Sequence, residues 1–326
     1  MKRILLTSTS LVLAAGFASA DVSFSGTAGI ALIDDNGASV AKAAVVGAQG
    51  TGTTADTVGS AAVLASTRDG MFFESYYDLD ITATAETDNG VSVKVGFDMG
   101  GGNKIDYDDD DKLEAQGASV GHADVAVSYN GWTLAVDQDG IDNLFDDSQQ
   151  EDVSLSGAVM GWTVALTSDQ ENSTSSYKVA GTVGGVSVTL TGTDNDDNGG
   201  DASKVAVSYA AGALTLSASV EDESLASGGE DESTIGIKYA MNDALSLSYT
   251  SIKPGSRTGD DFGDEWDAKV SYSAGGVTAS FNVDEADATT VIAEYTLGNG
   301  ATAFAAMHDK PNTANDLTAI GLTFAF

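Results

Sequence analysis

The chain has 326 residues, no cysteine and a formal net charge of −35 at pH 7. Only 14 residues are lysine or arginine, so the chain lacks the basic surface that binding to nucleic-acid phosphates requires. The absence of cysteine excludes a disulfide framework. Hydrophobic residues still make up 42% of the chain, and they recur throughout it, unlike the composition of highly charged disordered segments. We therefore expect an ordered protein that does not bind nucleic acid.

The first 20 residues have the three parts of a secretory signal peptide. Lys2 and Arg3 precede a mostly apolar run from Ile4 to Phe17, and the small residues Ala18-Ser19-Ala20 follow it. This run is too short, and too often interrupted by Ser and Thr, to span a bilayer. A buried N-terminal helix is the alternative interpretation. Cleavage after Ala20 would leave residues 21–326 as a single mature domain with a net charge of −37, because the two basic residues are lost.

Short strands with two different faces recur along the mature chain. VSFSGTAGIAL, VSVKVGFDM, ADVAVSY and SKVAVSY alternate large apolar residues with Ser, Thr, Lys or Asp, a period of two that is typical of β-strands. Eight pairs such as Asn89-Gly90, Ala211-Gly212 and Asn299-Gly300 predict tight turns, since Gly and Asn tolerate the backbone that hairpins need. Longer polar connectors alternate with them, the longest from about Asp34 to Asp69. The pattern predicts 18 antiparallel strands.

The strand count predicts an all-β fold, a closed up-and-down antiparallel transmembrane β-barrel. A flat sheet of this size would leave two edges open to aggregation, and closure removes both. The last strand, LTAIGLTFAF, places Ile320, Leu322, Phe324 and Phe326 on one face, and we expect it to pair with the first strand. A lumen this wide cannot be filled by side chains. The apolar face is therefore predicted to point outward into lipid and the polar face inward to water.

Aromatic residues near the strand ends are predicted to form the two interfacial girdles of this barrel. The set comprises Phe72, Tyr129, Trp132, Trp162, Tyr209, Tyr249, Trp266, Tyr272 and Phe326. The tight turns and the long acidic loops would then mark the periplasmic and the extracellular end.

Charged residues that alternate with apolar neighbours are predicted to line the lumen, because a basic residue facing lipid near the bilayer midplane would cost roughly 2–4 kcal/mol. The basic members are Lys94, Lys178, Lys204, Lys238 and Lys269. The acidic members on strands are Glu74, Asp78, Asp80, Asp98 and Glu294. A segment after the fifth strand adds Asp137, Asp139, Asp142, Asp146 and Asp147. Opposed acidic and basic walls would create a transverse field that selects solutes; the alternative is that these charges only keep the lumen wet.

One acidic loop contains an incomplete calcium-binding motif. DNDDNGGDASKV places Asp194, Asp196, Asn198 and Gly199 at positions 1, 3, 5 and 6 of an EF-hand-like loop. Val205 occupies position 12, where the motif requires a bidentate glutamate. Calcium binding is one interpretation, and a solvated acidic loop is the other.

The sequence contains no motif of an enzyme. His122 and His308 are isolated, and neither a G-x-S-x-G elbow nor a zinc motif occurs, although a spatial triad leaves no such trace. We expect a protein that is not an enzyme. Besides a channel, a secreted, acidic, calcium-dependent surface protein or adhesin fits this composition. A barrel should require detergent and migrate as a heat-modifiable trimer, whereas a chelator or salt should release an adhesin.

The sequence resembles the general porins of Rhodobacter-like alphaproteobacteria, within the gram-negative porin family. The matching stretches are DVSFSGTAGIALI, ESYYDLDITATAETDNGVSVKVGFD and TAIGLTFAF. SYNGWTLAVDQDG before IDNLFDDSQQ resembles the strand and the start of the loop that folds into the pore. The resemblance implies a homotrimer of water-filled barrels in outer-membrane lipid, which passes ions and small hydrophilic solutes. It also implies that the terminal Phe326 is a signal to the outer-membrane assembly machinery.

Two features depart from that family's pattern. Its members usually have 16 strands and seven short turns, so that 16 strands remains open beside 18. EDVSLSGAVMGWTVALTSD is then an additional hairpin, or one predicted turn is false. The candidate pore loop, from about Asp139 to Gln150, is also short for a constriction loop. The acidic loops and the mature charge predict a preference for cations.

Deletion of Phe326 is expected to impair assembly in the outer membrane and to leave export intact, since the signal peptide is unchanged. The measurement compares the amount of processed protein with the amount of heat-modifiable trimer in outer-membrane fractions. A normal trimer yield would contradict the assigned role of Phe326.

Overall fold

The computed structural model describes residues 18–35, 39–40, 66–67, 70–106, 112–116, 124–145, 150–169, 172–195, 201–223, 231–253, 265–309, 311 and 316–326. Every regular element within these ranges is a β-strand. A search of these residues finds no helix with the length and hydropathy of a membrane span. Residues 1–17 lie outside the described ranges, so the signal peptide stays a prediction.

The described ranges contain 21 strands. They are β1 Ala18–Asp35, β2 Ser39–Val40, β3 Ser66–Thr67, β4 Phe72–Glu86, β5 Ser92–Asp106, β6 Lys112–Ala115, β7 Asp124–Tyr129, β8 Trp132–Asp142, β9 Gln150–Val159, β10 Trp162–Asp169, β11 Thr174–Val183, β12 Val186–Asn195, β13 Ala202–Ala211, β14 Leu214–Glu223, β15 Glu232–Ala240, β16 Leu245–Lys253, β17 Glu265–Ala274, β18 Val277–Asp284, β19 Thr289–Gly298, β20 Ala301–Asp309 and β21 Leu317–Ala325.

Eighteen of these strands form one closed antiparallel wall. Of the 19 strands in the large sheet, β6 pairs only with the far end of β5, and the other 18 form a ring in chain order. β2 and β3 make a separate two-stranded ladder. The prediction of 18 strands is confirmed. The segment that raised the possibility of 16 strands is a genuine hairpin, in which β9 and β10 pair directly.

Residues of the tight turns adopt the left-handed backbone conformation that the sequence predicted. Asn130, Met160 and Asn299 have φ angles of 50°, 52° and 53°, and each precedes a glycine with positive φ. Two consecutive residues of this kind match the twist of the flanking strands. One predicted turn was displaced by a residue: Ala211 still pairs with Leu214, so the turn after β13 consists of Gly212 and Ala213.

A seam between the first and the last strand closes the wall. Ile30 lies opposite Leu322, and Leu32 lies opposite Ile320. The backbone N–H of Phe326 donates to the carbonyl of Gly26 at 3.1 Å, and the N–H of Gly26 donates back to Phe326 over 3.1 Å. The terminal residue is therefore held in the ladder, as expected for a strand that must complete a barrel.

Each wall strand separates an apolar outer face from a polar inner face. On β13, Val205, Val207 and Tyr209 leave 38–48% of their surface exposed, while Lys204 and Ser208 point to the other side. Large exposed apolar residues of this kind occur on every wall strand, and they include Phe24, Phe73, Ile235, Phe281 and Ile320. Such a surface is stable only in contact with lipid or another apolar surface.

A small apolar cluster interrupts the polar inner face at the seam. Ala31, Ile33, Phe304, Leu317 and Ala319 are all buried, with Phe72 packed against them. The assignment of Phe72 to an interfacial girdle was therefore wrong. Alternation along β4 gives Phe72 the same face as Glu74 and Asp78, and its neighbour Phe73 is the outward residue, 79% exposed.

Outward aromatic rings lie over glycines of the next strand. A Cβ atom on Gly157 would lie 2.5 Å from the Trp132 ring, and one on Gly181 would lie 2.5 Å from the Trp162 ring. Both tryptophans follow a tight turn directly. The missing side chain lets each ring lie flat on the wall, which covers backbone that would otherwise be exposed.

Replacement of Gly181 by valine is expected to displace Trp162 and to destabilise the barrel by about 1–3 kcal/mol, the usual cost of overpacking. The measurement is the temperature at which the detergent-solubilised barrel loses its folded mobility on a gel. The control is Ala180→Val on the opposite face of the same strand. Equal melting temperatures for the two variants would show that Trp162 does not need Gly181.

Candidate channel lumen

The inner face can be followed from strand to strand, because directly opposite residues of an antiparallel pair share a face. Lys178 lies opposite Thr191, Thr191 opposite Lys204, and Lys204 opposite Glu221. The Lys204 Nζ atom forms a salt bridge of 2.9 Å with the Glu221 Oε2 atom. The register therefore places these two lysines on one shared face, and the charge of Lys204 is already compensated by Glu221.

A second row carries the other two lysines of this side. Lys238 lies opposite Ser248, and Ser248 opposite Lys269. Asn282 and Thr290 continue the row beyond Lys269. Thr290 Oγ1 and His308 Nδ1 share a hydrogen bond of 2.8 Å, which completes a polar row across six strands.

Hydroxyl groups make up most of the wall between the lysines. A shallow recess of about 170 Å³ on β12–β15 is lined mainly by Ser187, Thr189, Ser208, Ser217, Ser219 and Thr234. Small hydroxyl side chains of this kind bind water and leave the passage wide.

The acidic strand residues lie on the other side of the ring. Asp80 pairs directly with Asp98, and Asp78 is two residues before Asp80 on β4. Four lysines lie on alternate strands, β11, β13, β15 and β17, centred on β14. Seven wall strands separate β14 from β5 in one direction, and eight separate it from β4 in the other. The cluster of Asp78, Asp80 and Asp98 and the group of four lysines therefore lie on opposite sides of the ring.

Sequence reasoning missed one basic residue in the acidic half. Asp78 experiences the charges of Asp80, Asp98 and Lys104, so Lys104 lies within electrostatic range of this cluster. Gly100, Gly101 and Gly102 interrupt the alternation just before Lys104, and Gly102 has a φ of 88°. The available signal was a lysine six residues after Asp98, within the same strand.

Three further predicted lumen residues lie on β5, β4 and β19, outside the contacts described so far. Lys94 pairs with Thr84 and Ala126 near the tight-turn end of β5. Glu74 accepts a hydrogen bond of 3.2 Å from the Asn103 Nδ2 atom. Glu294 accepts one of 2.8 Å from the Thr278 hydroxyl.

The connection after β8 returns to the inner wall. Asn143 is 3% exposed, and its Nδ2 atom donates to Glu151 Oε1 at 2.7 Å and to Thr193 Oγ1 at 3.1 Å. The backbone N–H of Leu144 donates to the Ser176 hydroxyl at 2.8 Å. Ser176 and Thr193 share the inner face with Lys178 and Thr191. Residues 143–145 are therefore fixed against the inside of β9, β11 and β12.

Glu151 is the central acceptor of this anchor. It is fully buried, and its second carboxylate oxygen accepts from the Thr174 hydroxyl at 3.2 Å. A buried carboxylate is stable only with such partners. Sequence reasoning identified neither Asn143 nor Glu151, because neither residue type in isolation signals an anchor.

The structure places only some of the aspartates predicted for this segment. Asp137 lies where the β8–β9 register shifts, and its carboxylate packs on Gly140. Asp142 ends β8 and is exposed. Asp139 belongs to β8, but its side chain is outside the described set, as are Asp146 and Asp147 altogether. Their role at the pore stays a prediction.

The calcium motif is only partly described. Asp194 pairs with Ser175 on the outer face, whereas Asp196 and Asn198 lie outside the described residues. Within the described part of the chain, no group of three or more His, Asp or Glu side chains is arranged to hold a metal ion.

Comparison with known proteins decides the family. The profile of the family described as Gram-negative porin matches residues 7–322. The chain belongs to the Gram-negative porin family. It is an outer-membrane channel of a gram-negative bacterium for passive diffusion. Family membership therefore supports the channel and not the secreted adhesin. The family and fold are those of channels rather than enzymes.

Solved structures agree with the fold of this porin. Three variants of the Rhodopseudomonas blastica porin are similar to it, with TM-scores of 0.54, 0.55 and 0.54 and sequence identities of 19%, 18% and 18%. Each comparison covers 94% of this chain and 100% of the other. No protein with a curated description matches the sequence.

The Asn143→Ala variant is expected to release residues 143–145 from the wall, because it removes the donor to Glu151 and Thr193. The free energy of unfolding should fall by about 1–3 kcal/mol, the usual cost of an unpaired buried polar group. Current through single open channels in planar bilayers should also become noisier. Asn103→Ala is the control, since it removes a similar bond to Glu74 elsewhere. Equal noise in both variants would contradict the anchor.

Proposed function

We propose that this porin passes ions and small hydrophilic solutes as a homotrimer and prefers cations. The observation that supports this preference most directly is the group of Asp78, Asp80 and Asp98 on the inner face of β4 and β5. Within that half of the wall, Lys104 is the nearby opposing charge. With Glu74 on β4 and Lys94 on β5, this half carries four carboxylates against two ammonium groups. The excess leaves a negative surface along which cations concentrate.

The basic half of the wall reduces this preference but does not cancel it. Lys204 is already paired with Glu221 at 2.9 Å, so its field is largely compensated. The mature charge of −37, which follows from −35 after loss of the two basic signal-peptide residues, adds a long-range attraction for cations at the mouth. This attraction extends over roughly 8 Å at physiological salt. Together these charges favour cations.

The segment from Asp137 to Asp147 is the proposed constriction. Its support is the anchor of residues 143–145 on the inner wall, where Asn143 bonds to Glu151 and Thr193. The same segment contributes Leu144 and Phe145, both partly buried. A segment fixed at this point narrows the lumen, and its aspartates would add to the acidic side.

The outer face and Phe326 support trimer formation and assembly in the outer membrane. The apolar outer face gives each barrel a surface that lipid and neighbouring copies can cover. Phe326 is 63% exposed although its backbone is paired, so its side chain is available to the outer-membrane assembly machinery. Calcium bound through Asp194 remains a proposal of its own, supported by the acidic loop sequence alone.

The triple variant Asp78→Asn, Asp80→Asn, Asp98→Asn is expected to lose most of the cation preference, because it removes the negative surface of one wall. The measurement is the reversal potential in a potassium chloride gradient across a planar bilayer. Lys178→Gln, Lys238→Gln, Lys269→Gln changes three charges of the opposite half and should shift the potential the other way. Anion preference in the parent protein would overturn the proposed selectivity.

A further inference from the structure

A second recess in the lumen wall lies on β17, β18 and β19. Its volume is about 270 Å³. Its inward lining includes Lys269, Ser271, Thr278, Ser280, Ile292 and Glu294. The side chains between Lys269 and Glu294 are small, so a solute can enter between the longer charged ones.

The two ends of the recess carry opposite charges. Lys269 pairs with Asn282 on β18, and Glu294 pairs with Thr278, which lies opposite Ser273. Ser273 is four residues from Lys269 along β17, about 13 Å at the usual strand rise. Glu294 lies two strands further across the sheet, about 10 Å at the usual strand spacing, so the two backbone positions are about 16 Å apart. The Glu294 carboxylate lies 2.8 Å from the Thr278 hydroxyl on β18, which shortens the gap from the glutamate side. The space that remains fits a solute a few carbon atoms long.

Lys269 and Glu294 differ in the contacts that hold their charged groups. Lys269 makes no salt bridge to any described residue, so its ammonium group retains donors for a solute. Glu294 is oriented by the Thr278 hydroxyl, which donates to its Oε2 atom at 2.8 Å. The buried side chain of Ile292, 9% exposed, forms an apolar floor between them.

We propose that this recess is a binding site on the permeation path for small zwitterions, such as amino acids with a short carbon chain. The solute's carboxylate binds Lys269, its ammonium group binds Glu294, and its carbon chain lies on Ile292. Ser271 and Ser280 add hydroxyl groups for hydrogen bonds. This inference rests on the proposed channel function.

Other solutes satisfy only part of this arrangement. An anion would be attracted by Lys269 and repelled by Glu294, and a cation would meet the reverse. A neutral sugar would make no charge-assisted hydrogen bond between two ionised groups at either end of the recess. Charge-assisted hydrogen bonds at both ends are roughly twice as strong as neutral ones, so a zwitterion gains most from the recess.

The test measures how 4-aminobutanoate reduces the potassium chloride current through single channels, compared with butanoate and butylammonium. The parent porin should bind 4-aminobutanoate more tightly than either of the two singly charged probes. Lys269→Gln and Glu294→Gln should each weaken its apparent affinity about three- to tenfold, as expected for a charged contact in partly solvated surroundings. Thr278→Val, which removes only the orienting hydroxyl, should weaken it about twofold.

Lys238→Gln is the matched control, because it removes an inward lysine of the same wall outside the recess. It should change the affinity by less than about twofold, since solvent and salt screen distant charges. An equal loss in Lys238→Gln and Lys269→Gln would overturn the site, and so would equal binding of all three probes by the parent. In both cases the potassium chloride current persists and the channel function stands. A parent protein without any current would overturn the channel itself, and the site with it.

Discussion

The need to satisfy every backbone hydrogen bond in lipid determines the architecture of this porin. Inside a membrane no water replaces a missing partner, and each unsatisfied N–H or C=O costs several kcal/mol. A strand can meet this condition only if it has a neighbour on both sides. Each of the 18 wall strands has two neighbours. The hydrogen bonds between Gly26 and Phe326 pair the backbone as far as residue 326.

Closure leaves alternation as the only way to separate lipid from water. One face of each strand must be apolar, and the other is free to carry charge. Every second residue of a strand therefore determines the chemistry of the lumen. The result is an asymmetric wall, with aspartates on β4 and β5 and lysines centred on β14. Since neighbouring strands are joined by tight turns, each charged group is held on a rigid ladder rather than on a loop.

The sequence was informative wherever a period of two or a turn residue determines the structure. The strand count and the seam followed from such patterns, and so did the assignment of Lys178, Lys204, Lys238 and Lys269 to the polar face of their strands. Phe72 was misassigned because its position near a strand end was given more weight than its alternation with Glu74. Lys104 was missed because three glycines break the period.

Contacts between distant segments could not be predicted in this way. Asn143 is bonded to Glu151 and to Thr193, which is 50 residues further along the chain. Which side chains meet inside the lumen depends on strand register and on the path of a connection, and neither leaves a local pattern. The two ends of the β17–β19 recess likewise belong to different strands, and only the register brings Lys269 and Glu294 to one hollow.

The seam between β1 and β21 makes the order of synthesis important. β1 lies between β4 and β21 in the ring. The first strand to be synthesised therefore lacks one of its two hydrogen-bonding neighbours until the last strand has been made. Any shorter nascent chain has two unpaired edges and an apolar face, a combination that promotes aggregation in water. A barrel with this connectivity cannot fold progressively during translation, and the whole chain must be kept unfolded until the membrane receives it. The same geometry brings the first half of β1 beside Phe326. A circularly permuted chain that links these two strands and is opened at a tight turn would preserve every wall contact.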